Sequence, residues 1–314
     1  MLAQAPHGGG IEIRGLEISG ADNAVDAAAT GAFDLDLAVT DTVLSSTGGT
    51  SLAVSGAGTT GSVVVTELTT HQVTSATAGG GIVLTDVAFD ADLVTAGLQP
   101  VNAGDLTVGD PASPGDVTGP GLRLDGVLGT LQVGTLDIGN TLGAGLFVRD
   151  ADATGASFTL ATTGGTIATV GAPAVVVSPA TLAVVLDTVS STTTTGGSPF
   201  GIDLGTVAGS FQVTGATSIS ASGAGSLGAG IVATDVTATI TFSGPTAIST
   251  TTGAGIALTN VDGPFTVAST AGIVTGAGGA AIDIDQGLGD VIYNGSIDNA
   301  AGRSVEITNH EGPG

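Results

Sequence analysis

One pattern constrains this chain more than any other: a small-residue corner followed by an alternating apolar strand, written again and again. The first apolar residue after each corner is Leu52, Ile82, Leu122, Leu146, Val175, Ile202, Ile231, Ile256, Ile282 or Val305. Their spacings are 30, 40, 24, 29, 27, 29, 25, 26 and 23 residues, a loose period that suits similar coils carrying loops of different length. The preceding residue is Gly81, Gly121, Gly145, Gly201, Gly230 or Gly255, with Ala174 and Ala281 as exceptions. A glycine column predicts a corner with positive φ or a close backbone approach.

Two residues beyond the anchor the chain is again apolar (Leu84, Leu124, Val148, Val177, Leu204, Leu258, Ile284), whereas the residue between them tolerates charge, as at Arg123, Asp203 and Asp283. Period two gives each strand an inside and an outside. Nine and eleven residues beyond the anchor a second pair recurs: Leu131 and Val133, Val184 and Leu186, Phe211 and Val213, Ile240 and Phe242, Phe265 and Val267, Val291 and Tyr293. In the coil that begins at Leu146 the pair Phe158 and Leu160 falls three residues late, as an insertion would place it. A third, weaker position follows at Ile138, Ile167, Ile219, Ile248, Ile273 and Ile297. Three short strands cannot enclose a core within one coil, but stacked coils can. The expected fold is therefore all-β: a right-handed parallel β-helix with three short strands per coil and roughly ten to eleven coils, about 50 Å long at ~4.8 Å per coil.

Composition agrees. The 314 residues include 54 glycines, only 10% are charged, and β-branched residues dominate over Leu, Glu, Lys, Gln and Arg, which disfavours long helices. Mean hydropathy is +0.50, too apolar for a disordered chain. Acidic residues number 28 against four arginines and no lysine, a formal charge of −24 that makes nucleic acid and anionic membranes poor partners and divalent cations better ones. The absence of cysteine removes disulfides, thiolate catalysis and Cys-ligated zinc. The apolar run TVGAPAVVVSPATLAVVL is interrupted by Pro173 and Pro179 and reads as buried strands, not as a membrane span. No export signal is legible in MLAQAPHGGG.

With GIVLTDV (81–87), GIVATDV (230–236), GIALTNV (255–261) and the closing DVIYNGSIDNAAGRSVEITN (290–309) on the page, the chain resembles the pectin-lyase-like parallel β-helix. More closely it is similar to the beta strand repeat segments of large secreted or outer-membrane bacterial surface proteins, including autotransporter-type passengers. The resemblance covers Leu52 onward; the repeat, the acidic surface and the missing catalytic residues lead to the expectation of a non-catalytic structural or adhesive stalk, extracellular or at the cell surface. Its partners would be neighbouring repeats, surface glycans or host proteins. It specifies fold, not chemistry.

The organisation expected is an irregular cap or coils over 1–50, where AVDAAATGAF suggests a helical turn, then a repeat domain over 51–314. Residues 97–121 hold four of the eleven prolines and read as a loop inserted in one coil, either plain surface or a lateral binding loop. The C-terminal SVEITNHEGPG leaves an open edge, which suggests a longer solenoid or units that meet end to end.

Chemistry is sparse. Asp86, Asp150, Asp235 and Asn260 recur four residues after the anchor, either as turn formers that tolerate the left-handed region or as a calcium ladder. Asp283 and Asp285 share an outward strand face, so they could act as a paired acid and base on glycosidic bonds or merely solvate the strand. Asp34 and Asp36 raise the same choice. Arg123 and Arg149 face outward on successive coils, where pairing with Asp125 or Asp150 is the expectation. His7, His71 and His310 are scattered, and GAGSLGAG (223–230) lacks the lysine and helix of a phosphate loop. Runs such as ISTTTGAG evoke a flat threonine array, which the variable spacing opposes. The alternative function is a polysaccharide lyase or hydrolase built on the outward carboxylates.

Overall fold

The structure is a computed structural model that describes residues 2–3, 9–20, 22–29, 35–46, 48–56, 62–75, 79–152, 157–193, 200–221, 229–250, 253–275, 277–299 and 302–311. It is an all-β parallel solenoid of about nine turns, with 64% strand and no helix among these residues. The ten anchors form one ladder. Leu52 pairs with Ile82, then Leu122, Leu146, Val175, Ile202, Ile231, Ile256, Ile282 and Val305 follow, each opposite the next. All pairings between strands are parallel, since each strand meets its equivalent one coil away.

Each coil has three faces. The first is the anchor strand, for example Ile82–Thr85, Ile256–Val261 or Ile282–Asp285. The second and third are continuous in the early coils, as in Leu35–Ser46 and Val63–Ser75, and separate later into pairs such as Val207–Val213 with Thr217–Ala221. One strand, Leu122–Thr141, runs through all three faces of its coil. Inward residues from the three faces make a single apolar core along the axis. Phe211 and Phe265 share a column with Ile240, Phe242 stacks between Val213 and Val267 in the next, and the three rings still meet, with centroids 6.2 and 5.9 Å apart.

The glycine before each anchor is needed for close approach, not for a positive φ. A Cβ on Gly121, Gly201 or Gly230 would overlap the inward third-strand side chain of Ile138, Ile219 or Ile248, and the same clash recurs at Gly255 with Val274. Polar side chains close the same corner. Asn140 donates to the carbonyls of Gly119 (2.8 Å) and Gly143 (2.7 Å), and Thr169 and Ser191 each donate to Ala172 at 2.8 Å. Turn carbonyls that water cannot reach are thus satisfied from inside.

Several details differ from the sequence reading. Val25–Ala28, expected to be a helical turn, is a strand stacked on Leu52–Ser55, with Val25 and Ala27 buried; stacking overrides the helix propensity of its alanines. Strands Gly9–Arg14, Glu17–Gly20 and Leu35–Ser46 likewise continue the stack into the first fifty residues. The segment 97–121 is not one loop. Val101–Val108 is a strand that pairs with Leu131 to Ile138, so the long spacing arises from two excursions, 90–100 and 109–121, around it. Val274, not Ile273, is the inward third-strand residue of its coil, because Val274 stacks on Ile248 and Ile297 while Ile273 faces out. Phe158 stacks on Gly129, and Leu160, not Phe158, continues the Leu131 column. Gly129 has no side chain, which lets Phe89 and Phe158 from the coils on either side approach to 5.7 Å.

Candidate functional site

The residues four beyond the anchor form a corner column. Asp86, Asp235 and Asn260 have φ of 54°, 55° and 52°, and Thr206, Gln286, Asn309 and Gly126 share this left-handed conformation. Asn260 Nδ2 donates to Asp235 Oδ1 at 2.7 Å, so two members neutralise each other's hydrogen-bonding demand along the column. Asp150 behaves differently. Its buried carboxylate accepts from the backbone N–H of Asp152, Ser157 and Phe158 (2.9, 3.0 and 2.6 Å) and from the Ser157 hydroxyl, which ties the start of the second strand to the corner. Asp90 repeats the device, accepting from the N–H of Asp92 (3.2 Å) and Gln99 (2.9 Å). Of the four candidate ligands only Asp235 and Asn260 touch, and among the described residues no three His, Cys, Asp or Glu converge as a metal set.

Asp283 and Asp285 do point outward from one strand. Asp283 lies between Ala257 and Glu306 in the ladder, and Asp285 between Thr259 and Thr308. Partial burial first, then the charges of Glu306 and Asp285, hold the Asp283 carboxyl above the usual carboxylate range, and Arg303 acts against them. Asp285 is engaged by the Thr308 hydroxyl (2.8 Å) and by Asn309 Nδ2 (3.3 Å). The nearby Tyr293 turns its hydroxyl to the carbonyl of Ser296 at 2.9 Å and packs on the core. His310 lies 3.5 Å from the carbonyl of Gln286. His7, Asp34 and the side chains of Asp36 and His71 fall outside the described residues, as does most of 223–230. Outward columns mix residue types, as in Ser190, Ser218, Ala247 and Ile273, and the threonine column Thr130, Thr159 and Thr181 ends at Ala208.

A second constellation was only half visible in the sequence. Ladder pairing sets Arg123 beside Phe147 and Asp125 beside Arg149 on the first face. Arg123 Nη2 and Arg149 Nε both bond Asp125, at 2.5 and 2.6 Å, and the Asp125 side chain is only 7% exposed. Arg123 also lies over the Phe147 ring at 4.5 Å, within cation–π range. Beside this pair runs an open groove of about 540 Å³ lined by Pro120, Leu142, Gly143, Phe147, Pro173 and Val176 among others. The expectation that the arginines pair with an aspartate holds, and the partner of both is Asp125. Phe147 and Leu142 carried no sequence signal as site residues, because a lone outward aromatic gains meaning only from its neighbour in the next coil.

From Phe147 the ladder passes through Val176, Asp203, Val232 and Ala257 before reaching Asp283. Five steps at ~4.8 Å separate the groove from the carboxylate pair by about 24 Å. Arg123, Arg149 and Phe147 therefore do not meet Asp283 and Asp285, whose charged neighbours are Glu306 and Arg303. The fold defines the class as a parallel β-solenoid. No family model, curated protein or solved structure matches the chain.

Proposed function

We propose that this chain is a non-catalytic structural or adhesive stalk segment of a secreted bacterial cell-surface protein, a rigid spacer displayed outside the cell. The observation that carries the reading is the anchor ladder, continuous from Val25 to Val305 with a register shift between Asp125 and Val127. Stacked backbone bonds resist bending, and a continuous apolar column resists shear between coils. The edge strand Val305–Thr308 exposes Val305 and Ile307, its inward-type positions, at 46% and 60%, which suits joining to a further coil or a second unit. Partners in this reading are neighbouring repeats, surface glycans or cell-surface proteins.

The second reading, a polysaccharide lyase or hydrolase, rests on the raised Asp283 carboxyl beside Asp285. Polysaccharide digestion separates the two. A panel of acidic and neutral polysaccharides, with and without calcium, is assayed for new sugar ends against the Asp283→Ala/Asp285→Ala double variant. The stalk reading expects no release from any substrate, and release that disappears in the double variant would overturn it. In parallel, atomic force microscopy should show straight rods whose length does not change on chelation. Calcium-dependent collapse would instead argue for a cation ladder at the corners.

A further inference from the structure

The groove beside Arg123 belongs neither to the ladder nor to the carboxylate pair, and three observations mark it out. First, two cations meet at one carboxylate: Arg14 is matched by Glu12 and Glu67 and Arg303 by Glu306, whereas Arg123 and Arg149 share Asp125. On a chain of charge −24 this is a local excess of positive charge. Each guanidinium is pinned by one nitrogen, and the stack on Phe147 fixes the plane of Arg123, so the remaining N–H groups are presented at little entropic cost. Second, Leu142 on the rim has φ 67° and is 75% exposed. The other non-glycine residues with positive φ among those described are Asp, Asn, Thr or Gln, so an exposed leucine in this conformation costs both strain and hydration. Third, Arg123 is the one polar side chain among the described residues that line the groove. A sugar, with hydroxyls on every edge, would find few partners there.

We propose that this groove docks a peptide segment of a partner protein in which a carboxylate stands beside an apolar side chain. The carboxylate takes the free nitrogens of Arg123, and the apolar side chain packs on Leu142, Pro120 and Pro173. Arginine, phenylalanine and an exposed leucine around a shallow concavity is the composition of a small interface centre, and a charge-assisted bond to carboxylate supplies its direction. The inference goes beyond the stalk reading and stands whether or not the chain is catalytic.

The test is selection of a random peptide library on the immobilised full chain, with the Arg123→Gln/Arg149→Gln variant for counter-selection, followed by calorimetry on the synthesised winners. The expected result is a motif joining Asp or Glu to Leu, Ile or Phe. Its carboxamide analogue should bind about tenfold more weakly, as should the native motif to Arg123→Gln. Leu142→Gly supplies a second readout. It relieves the backbone, so the melting temperature holds or rises, while peptide affinity falls about tenfold; a purely structural leucine would change the first and not the second. Enrichment of neutral or basic motifs, equal binding by the arginine variants, unchanged affinity in Leu142→Gly, or tighter binding of free D-glucuronate than of any selected peptide would each overturn the proposal.

Discussion

At Thr206 a β-branched side chain is held at φ 51° in the corner column, whose other positive-φ members are Asp86, Gly126, Asp235, Asn260, Gln286 and Asn309. Thr206→Gly should therefore raise stability by about 1 kcal/mol, read from urea unfolding, because glycine meets no Cβ penalty there. The converse change, Gly126→Ala, adds a Cβ at φ 66° and 2.5 Å from Asp86 Oδ1, and should cost about 1 kcal/mol or more. Asp203 gives a pH-dependent case. It lies between Val176 and Val232 on the first face, and burial pushes its carboxyl above the ordinary range. Its folded-state value exceeds the unfolded one, so it does no harm in acid, where both states are protonated. It becomes destabilising as pH rises from the ordinary carboxylate range through its raised value. Asp203→Asn should match the wild type in acid and exceed it in stability at neutral pH; a constant difference across that window would refute the assignment. The corner conformation itself was legible, since Asp and Asn recurring at one offset favour the left-handed region. The role of Asp150 was not, because its partners Ser157 and Phe158 lie seven and eight residues on and are brought to it only by the fold.

Within the elements, the inward phenylalanines make the clearest claim. Phe242 is fully buried between Phe211 and Phe265, and Phe242→Ala should destabilise the rod by about 3–5 kcal/mol, measured by denaturant unfolding. Strand existence and facing were readable because inward and outward residues alternate with period two. Register between coils was less so. Leu131 stacks on Leu160 and then Leu182, not on the Val184 that shares its offset from the anchor. A slip of two residues keeps every side chain on its own face, so the pattern cannot report it. The same blindness hid Val189 behind the series Ile138 and Ile167, whose column it continues. Prolines misled in a different way: those at 100, 111, 114 and 120 flank the strand Val101–Val108 without interrupting it, and their density disguised a strand as part of a loop.

For the whole molecule, charge is distributed by face. From Phe158–Gly164 to Ile273–Thr275, the second and third strands contain no charged residue, and the carboxylates of that region stand on the first face or at corners. With a net charge of −24, self-repulsion opposes the compact state, so added sodium chloride should raise the melting temperature until screening saturates. A melting temperature independent of salt would mean that the corner hydrogen bonds already neutralise the field. The sequence by itself determined the coil: its three strands, its apolar interior, its glycine corner and its acidic, lysine-free exterior, because each depends on spacing along one chain. Tertiary structure alone decided which coil neighbours which residue. The partnership of Arg123 with Phe147, the sharing of Asp125 by two arginines and the distance of both from Asp283 depend on register between coils, and loops of variable length leave that register unwritten in any local pattern.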